Sequence, residues 1–259
     1  MKLTARIPVS VALLVLLGTT TGCDKLKSRD QINKGVAAFK NAQYEEAVSN
    51  FQNAVKLDPT SENAKLYLAT SYAYQVVPNL LTPENLQFAQ KALDGFNAVL
   101  AKDPTDLTAL KQVASIDRNI QKFDEAKIYE LKVIKEAPDD PEAYYIVGFV
   151  DWTLAYKNAI AILAADGLTD DGAGNKKMTK GACAKMQSAN TDLTNEGLQF
   201  LNKAVDLNPN YDDAMQYIQL TYRRKADMAQ VDLWSNKAMG ARKENELKKE
   251  QKAGGGVSM

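Results

Sequence analysis

The chain has 259 residues, 45% of them hydrophobic and 25% charged, which allows one large domain or two small ones. Its 32 basic residues are balanced by 32 acidic ones, so the basic excess of a nucleic-acid binder is missing. It contains no histidine, which excludes Ser-His-Asp and Cys-His catalysis, His-ligated zinc and histidine pH switching, while carboxylate and lysine chemistry stay open.

Residues 1–22 read as a targeting segment. Lys2 and Arg6 form a positive n-region, Ile7 to Leu17 an apolar run of 11 residues, and Gly18 to Gly22 a small-residue stretch. This is the secretory pattern, too short for a stable membrane span. Thr20-Thr21-Gly22-Cys23 resembles the bacterial lipobox, with Thr20 where that motif prefers Leu. The resemblance implies cleavage before Cys23, diacylglycerol on its sulfur, and a bacterial envelope protein held on a membrane and facing the periplasm, the outer and inner membrane both being open. An ordinary signal cut near Gly22 is the competing reading. Each buried methylene of an acyl chain contributes about 0.8 kcal/mol, so two or three chains hold a domain firmly. Residues 23–27 are then the lipidated Cys and a short tether, and Lys25, Lys27 and Arg29 meet anionic head groups or serve as solvated charge.

The chain then repeats itself. Pro59, Pro104, Pro138 and Pro209 close similar contexts, at spacings of 45, 34 and 71 residues, and three of them follow Asp58, Asp103 or Asn208. Between Gly35 and Pro59 stand Phe39, Tyr44, Ala47, Phe51 and Ala54 at helical offsets; Ala69, Tyr72, Ala92, Phe96 and Val99 precede Pro104. Ala114, Ala126 and Val133 precede Pro138; Gly148, Gly197, Leu201 and Ala204 precede Pro209; Ala214 and Tyr222 begin a degenerate fifth unit. Small residues let paired helices approach, apolar residues at helical period fill the seam, and proline stops the second helix. This pattern resembles the tetratricopeptide repeat. The resemblance implies an all-α, right-handed solenoid of helical hairpins over residues 28–240, with about five units at 28–61, 62–106, 107–140, 141–211 and 212–240, followed by a charged helix end and disordered tail at 241–259. Each hairpin is too small to bury its own apolar face and leans on the next.

Two units exceed the period. In the second, Thr82 is a predicted N-cap with Pro83 at the first helical position, and the apolar residues of Val76 to Leu81 are expected to fold back on the helices. In the fourth, an insertion near 153–193 reads as a hairpin with both helices lengthened, the second from about Thr179 to Leu207, with a hidden degenerate repeat as the alternative. The acidic glycine-rich stretch 166–175 does not follow the calcium-loop order, so no metal is assigned. Cys183, left over once Cys23 is lipidated, is expected to be a buried or half-buried apolar residue.

In tetratricopeptide proteins the first helix of each unit lines a concave groove. The family positions place Phe39, Tyr74, Lys111, Arg118, Tyr145, Phe149, Trp152, Arg223 and Arg224 there. Tyr145, Phe149 and Trp152 form an aromatic stripe flanked by the basic residues, the residue types that dominate binding hot spots; packing of the stripe against the insertion, and plain solvation of the arginines, are the competing readings. The resemblance implies an envelope adaptor or scaffold that binds a protein or peptide partner, in envelope or pilus assembly, with no cofactor and no enzymatic activity. A solute- or glycan-binding lipoprotein is the alternative. No phosphate-binding glycine loop, nucleophile elbow or metal-ligand cluster is found.

Overall fold

The computed structural model describes the backbone of residues 9–170, 178–224 and 228–254, and the side chains of residues 23–170, 178–224 and 230–252. The expected signal segment 1–22, the 171–175 part of the acidic stretch and the expected tail 255–259 therefore lie outside the described side chains. Among the described residues every regular element is an α-helix. The chain forms two compact units, Met1–Gln121 and Lys122–Met259.

The first unit holds α1 (Val9–Lys40), α2 (Tyr44–Leu57), α3 (Glu62–Ala73), α4 (Pro83–Leu100) and α5 (Leu107–Asn119). Each helix packs on the next in chain order. The α1–α2 hairpin turns through Ala42 at φ 57° and closes over Gly35, where a Cβ would lie 2.6 Å from the Phe51 ring. Ala47, Phe51 and Ala54 are the buried stripe of α2, and the buried Ser28 hydroxyl donates to the Ala54 carbonyl at 2.9 Å.

The residue before three of the four repeat-closing prolines has a local task. Asp58 Oδ1 accepts from the backbone N–H (3.1 Å) and hydroxyl (2.6 Å) of Thr60. Asp103 Oδ1 does the same for Thr105, at 3.0 and 2.7 Å, and in the second unit Asn208 Oδ1 accepts from the Asn210 N–H at 3.2 Å. A side chain that mimics a backbone turn two residues on sets the bend while proline blocks the helix. The Thr60 and Thr105 hydrogen bonds favour the charged forms, so both carboxyls sit below their ordinary pKa.

The loop before α4 departs from expectation. Thr82 caps α4 with Pro83 in the first turn. Val76 is buried, but Val77, Leu80 and Leu81 are 51%, 42% and 51% exposed instead of folding back. The buried Asn85 holds the loop in that form. It accepts from the Val77 N–H at 2.8 Å and donates to the Val77 and Leu80 carbonyls at 3.0 and 2.6 Å. The Asn79 N–H donates to the Asn119 carbonyl at 2.8 Å. With these backbone groups satisfied inside, the apolar side chains are left to point outward.

The second unit holds α6 (Phe123–Glu136), α7 (Pro141–Ala165), α8 (Lys180–Leu207), α9 (Asp212–Arg224) and α10 (Met228–Gly254). The insertion lies within a single long hairpin, α7–α8. Ala143, Val147, Ala155, Ala159 and Leu163 line it from α7, and Asn190, Thr194, Gly197 and Leu201 from α8. Asn190 ties it beyond the ordinary repeat length, donating to the Ala155 carbonyl at 3.0 Å and accepting from Asn158 at 3.1 Å. α7 is long and apolar enough to cross a membrane, a composition that here serves packing on both α6 and α8. Cys183 is exposed rather than buried; it stands in the first turn of α8, seven residues ahead of the buried Asn190. α10 continues unbroken past residue 240. Ala241 is buried in the cluster of Leu201, Ile218 and Trp234, and Asn245 donates to the Asn210 carbonyl at 2.9 Å.

Candidate functional site

The candidate groove residues fall in both units. In the first, Phe39 meets Tyr44 and Tyr74 edge-on at centroid separations of 5.3 and 4.8 Å, and Tyr74 is 57% exposed. Lys111 and Arg118 are half-buried on α5.

In the second unit the stripe on α7 is half-buried and packs against α9. Tyr145, Phe149 and Trp152 follow one another at helical spacing, and all three meet the ring of Tyr217, at 5.9, 5.0 and 5.1 Å. Tyr211 adds a ring 5.0 Å from Tyr145, and Tyr156 stacks on Trp152 at 5.2 Å with an interplanar angle of 12°. Edge-to-face and offset stacks of this kind contribute about 0.5–1.5 kcal/mol each beyond area burial. All six rings remain half-buried. Burial, with the nearby Asp213 charge, pushes the Tyr217 phenol above its ordinary pKa.

Arg224 ends α9 with its guanidinium 5.0 Å from the centre of the Tyr156 ring, and it pairs with Asp170 Oδ2 at 2.5 Å. Arg223 beside it is half-buried. The Trp152 indole N–H is buried and meets no acceptor among the described residues. The arrangement offers ring faces, a guanidinium and an indole donor, which are recognition groups. Among the described residues no cluster of three His, Cys, Asp or Glu is placed to hold a metal ion.

A family model described as a tetratricopeptide repeat matches residues 31–61. No curated protein matches the chain in sequence. Solved structures match its fold. One titled as the crystal structure of MamA protein covers 85% of this chain and 94% of its own, at 14% identity and a TM-score of 0.57. MamA from Desulfovibrio magneticus RS-1, residues 41 to the end, gives 84%, 96%, 17% and 0.59. YrrB, titled a TPR protein with an unusual peptide-binding site, gives 86%, 90%, 14% and 0.53.

The fold is a tetratricopeptide-type helical solenoid.

Within that fold sequence reasoning missed Tyr217, on the helix from which only Arg223 and Arg224 were expected in the groove. It missed Tyr211, which precedes the helix, and Asp170, whose partner is 54 residues away. Tyr156 was within reach, four residues after Trp152 on the same helix face. A buried ionic cluster was also missed. Lys127 Nζ lies 2.6 Å from Asp151 Oδ1 and 2.9 Å from Glu196 Oε2. Asp151 is fully buried and its Oδ2 has no partner among the described residues. Burial pushes the Asp151 carboxyl up to about 6, against the pull of Lys127. Burial works to lower the Lys127 ammonium, but the hydrogen bonds with Asp151 and Glu196 outweigh it and leave its pKa raised.

Proposed function

We propose that this chain is a lipid-anchored adaptor of the bacterial cell envelope that binds a protein or peptide partner, without enzymatic activity, in envelope or pilus assembly. The observation that carries the reading is the half-buried strip of Tyr145, Phe149, Trp152, Tyr156 and Tyr217 ending at Arg224. Rigid aromatics beside arginine are the typical anchors of protein interfaces. The tetratricopeptide-type fold supports the same reading, as does the peptide-binding site named for YrrB, a structural relative. The rings of Tyr145 and Trp152 both pack on Tyr217, which favours an adaptor over a solute- or glycan-binding lipoprotein whose pocket those two rings would wall. For the anchor, the support is the signal pattern before Cys23 and the exposure of that cysteine.

Affinity capture from detergent-solubilised membranes tests both halves. The full-length protein is compared with Cys23→Ser, Trp152→Ala and Arg223→Glu. Cys23→Ser is expected to leave the membrane fraction, and Trp152→Ala with Arg223→Glu to lose a partner that the native protein retains, with helicity unchanged. Membrane retention of Cys23→Ser rejects the lipid anchor; undiminished capture by the strip variants rejects the binding surface.

A further inference from the structure

We propose that Arg224, on its platform of Tyr156 and Trp152, is a carboxylate-binding subsite for an acidic peptide, and that Asp170 occupies it as an internal competitor. The inference rests on the partner-binding reading of the strip and specifies its ligand and its control.

Three observations carry it. The Arg224 guanidinium carbon lies over the Tyr156 ring, 5.0 Å from its centre, and Tyr156 is stacked on Trp152, so the cation is seated before any ligand arrives. A guanidinium preorganised on a ring face is a strong hydrogen-bond donor to carboxylate and needs little further ordering. The carboxylate it holds comes from Asp170, in the segment between α7 and α8 that exceeds the repeat period, 54 residues away in sequence. Finally, the platform carries a spare donor: the Trp152 indole N–H has no acceptor among the described residues. A buried donor left unmet costs about 1–3 kcal/mol, which is recovered where the rings part enough to admit a peptide carbonyl or second carboxylate oxygen.

The pair is built to exchange. The Arg224 and Asp170 side chains are 20% and 13% exposed, so the contact is shielded enough to be strong and open enough for an incoming carboxylate. Ligand binding then swaps one ion pair for another of the same kind. The cost of displacing Asp170 appears as a reduced apparent affinity, since only the fraction of molecules with the site open binds directly.

The test uses the full-length protein in detergent at physiological salt, with fluorescein-labelled tetra-aspartate as the probe and tetra-asparagine as its uncharged control. Asp170→Asn is expected to bind tetra-aspartate about tenfold more tightly than the native protein, as when a site closed about nine-tenths of the time is opened. Asp170→Glu keeps a carboxylate and is expected to stay near native affinity. Arg224→Gln and the Asp170→Asn/Arg224→Gln double variant are expected to bind tetra-aspartate no better than tetra-asparagine. A lower melting temperature with no gain in affinity for Asp170→Asn marks an ordinary structural ion pair and overturns the competitor. Native affinity in Arg224→Gln overturns the subsite. Either failure leaves partner capture by the strip, read by Trp152→Ala, as a separate result.

Discussion

Gly148 on α7 and Gly197 on α8 face each other backbone to backbone. A Cβ on Gly148 would lie 2.5 Å from Leu201 Cγ and 2.9 Å from the Gly197 carbonyl oxygen, whereas one on Gly197 would lie 3.1 Å from Asp151 Cβ and 3.4 Å from the Gly148 carbonyl oxygen. Replacing a helical glycine with alanine returns about 1 kcal/mol of helix propensity, and overpacking a filled core costs about 1–3 kcal/mol. At Gly148 the clash involves a branch carbon and a backbone oxygen, neither of which moves cheaply, so Gly148→Ala is expected to destabilise. At Gly197 a shift of a few tenths of an ångström suffices, and Gly197→Ala is expected to be near neutral. Urea unfolding of both variants checks the ranking; equal stability would contradict this approach of the helices.

Asn85 holds the exposed loop through three hydrogen bonds to Val77 and Leu80. Asn85→Ala leaves one N–H and two carbonyls without these partners, a loss of about 1–3 kcal/mol where the groups stay buried. Amide exchange is expected to speed up at Val77, while the distant amides of α2 keep their protection. Unchanged protection at Val77 would show that the remaining contacts hold the loop without Asn85.

What was legible in the sequence was local. The Asp-Pro and Asn-Pro signals worked because Asp58, Asp103 and Asn208 reach only two residues along the chain. The stripe of Tyr145, Phe149 and Trp152 was legible because helical spacing alone puts those residues on one face. The loop residues Val77, Leu80 and Leu81 misled because their orientation depends on Asn85, whose amide wraps the loop backbone. Cys183 misled because the repeat frame does not extend to that part of α8. The pairing of Arg224 with Asp170 had no sequence signal, since nothing in the period relates positions so far apart.

Asp151 gives a pH dependence with a definite sign. Its carboxyl is raised from 3.8 to about 6, first by burial. Between those values the folded protein holds a proton that the unfolded chain has released, so stability falls as pH rises through the window and levels off above it. The charged groups facing Asp151 are Lys127 from α6 and Glu196 from α8. In Asp151→Asn the amide no longer titrates and Lys127 keeps Glu196. Melting temperatures measured from pH 4 to pH 7 are expected to decline for the native protein relative to Asp151→Asn. Parallel curves would mean that Asp151 stays ionised throughout, with Lys127 outweighing its burial.

Cys183 is exposed on α8. In a Cys23→Ser background, maleimide is expected to label one thiol per chain without denaturant, and Cys183→Ser is expected to abolish the signal. Labelling that requires denaturant would put Cys183 inside a contact and return it to the buried role expected from sequence.

Tyr217 is where packing and binding separate. Its ring supports Tyr145, Phe149 and Trp152 together, while its phenol is pushed above the ordinary pKa by burial and by Asp213. Tyr217→Phe keeps the ring and is expected to hold stability within about 1 kcal/mol, since removing a polar atom without filling or emptying space is a small change. Tyr217→Ala opens a hole beneath three aromatics; full truncation of a buried aromatic costs about 3–5 kcal/mol, and a half-buried one proportionately less. If the strip is also the binding surface, Tyr217→Phe captures the partner as the native chain does, and Trp152→Ala loses capture by more than its stability loss explains. If the rings only pack, capture by both variants follows their melting temperatures. Loss of stability in Tyr217→Phe equal to that in Tyr217→Ala would show that the hydroxyl, and not the ring, holds α9 against α7.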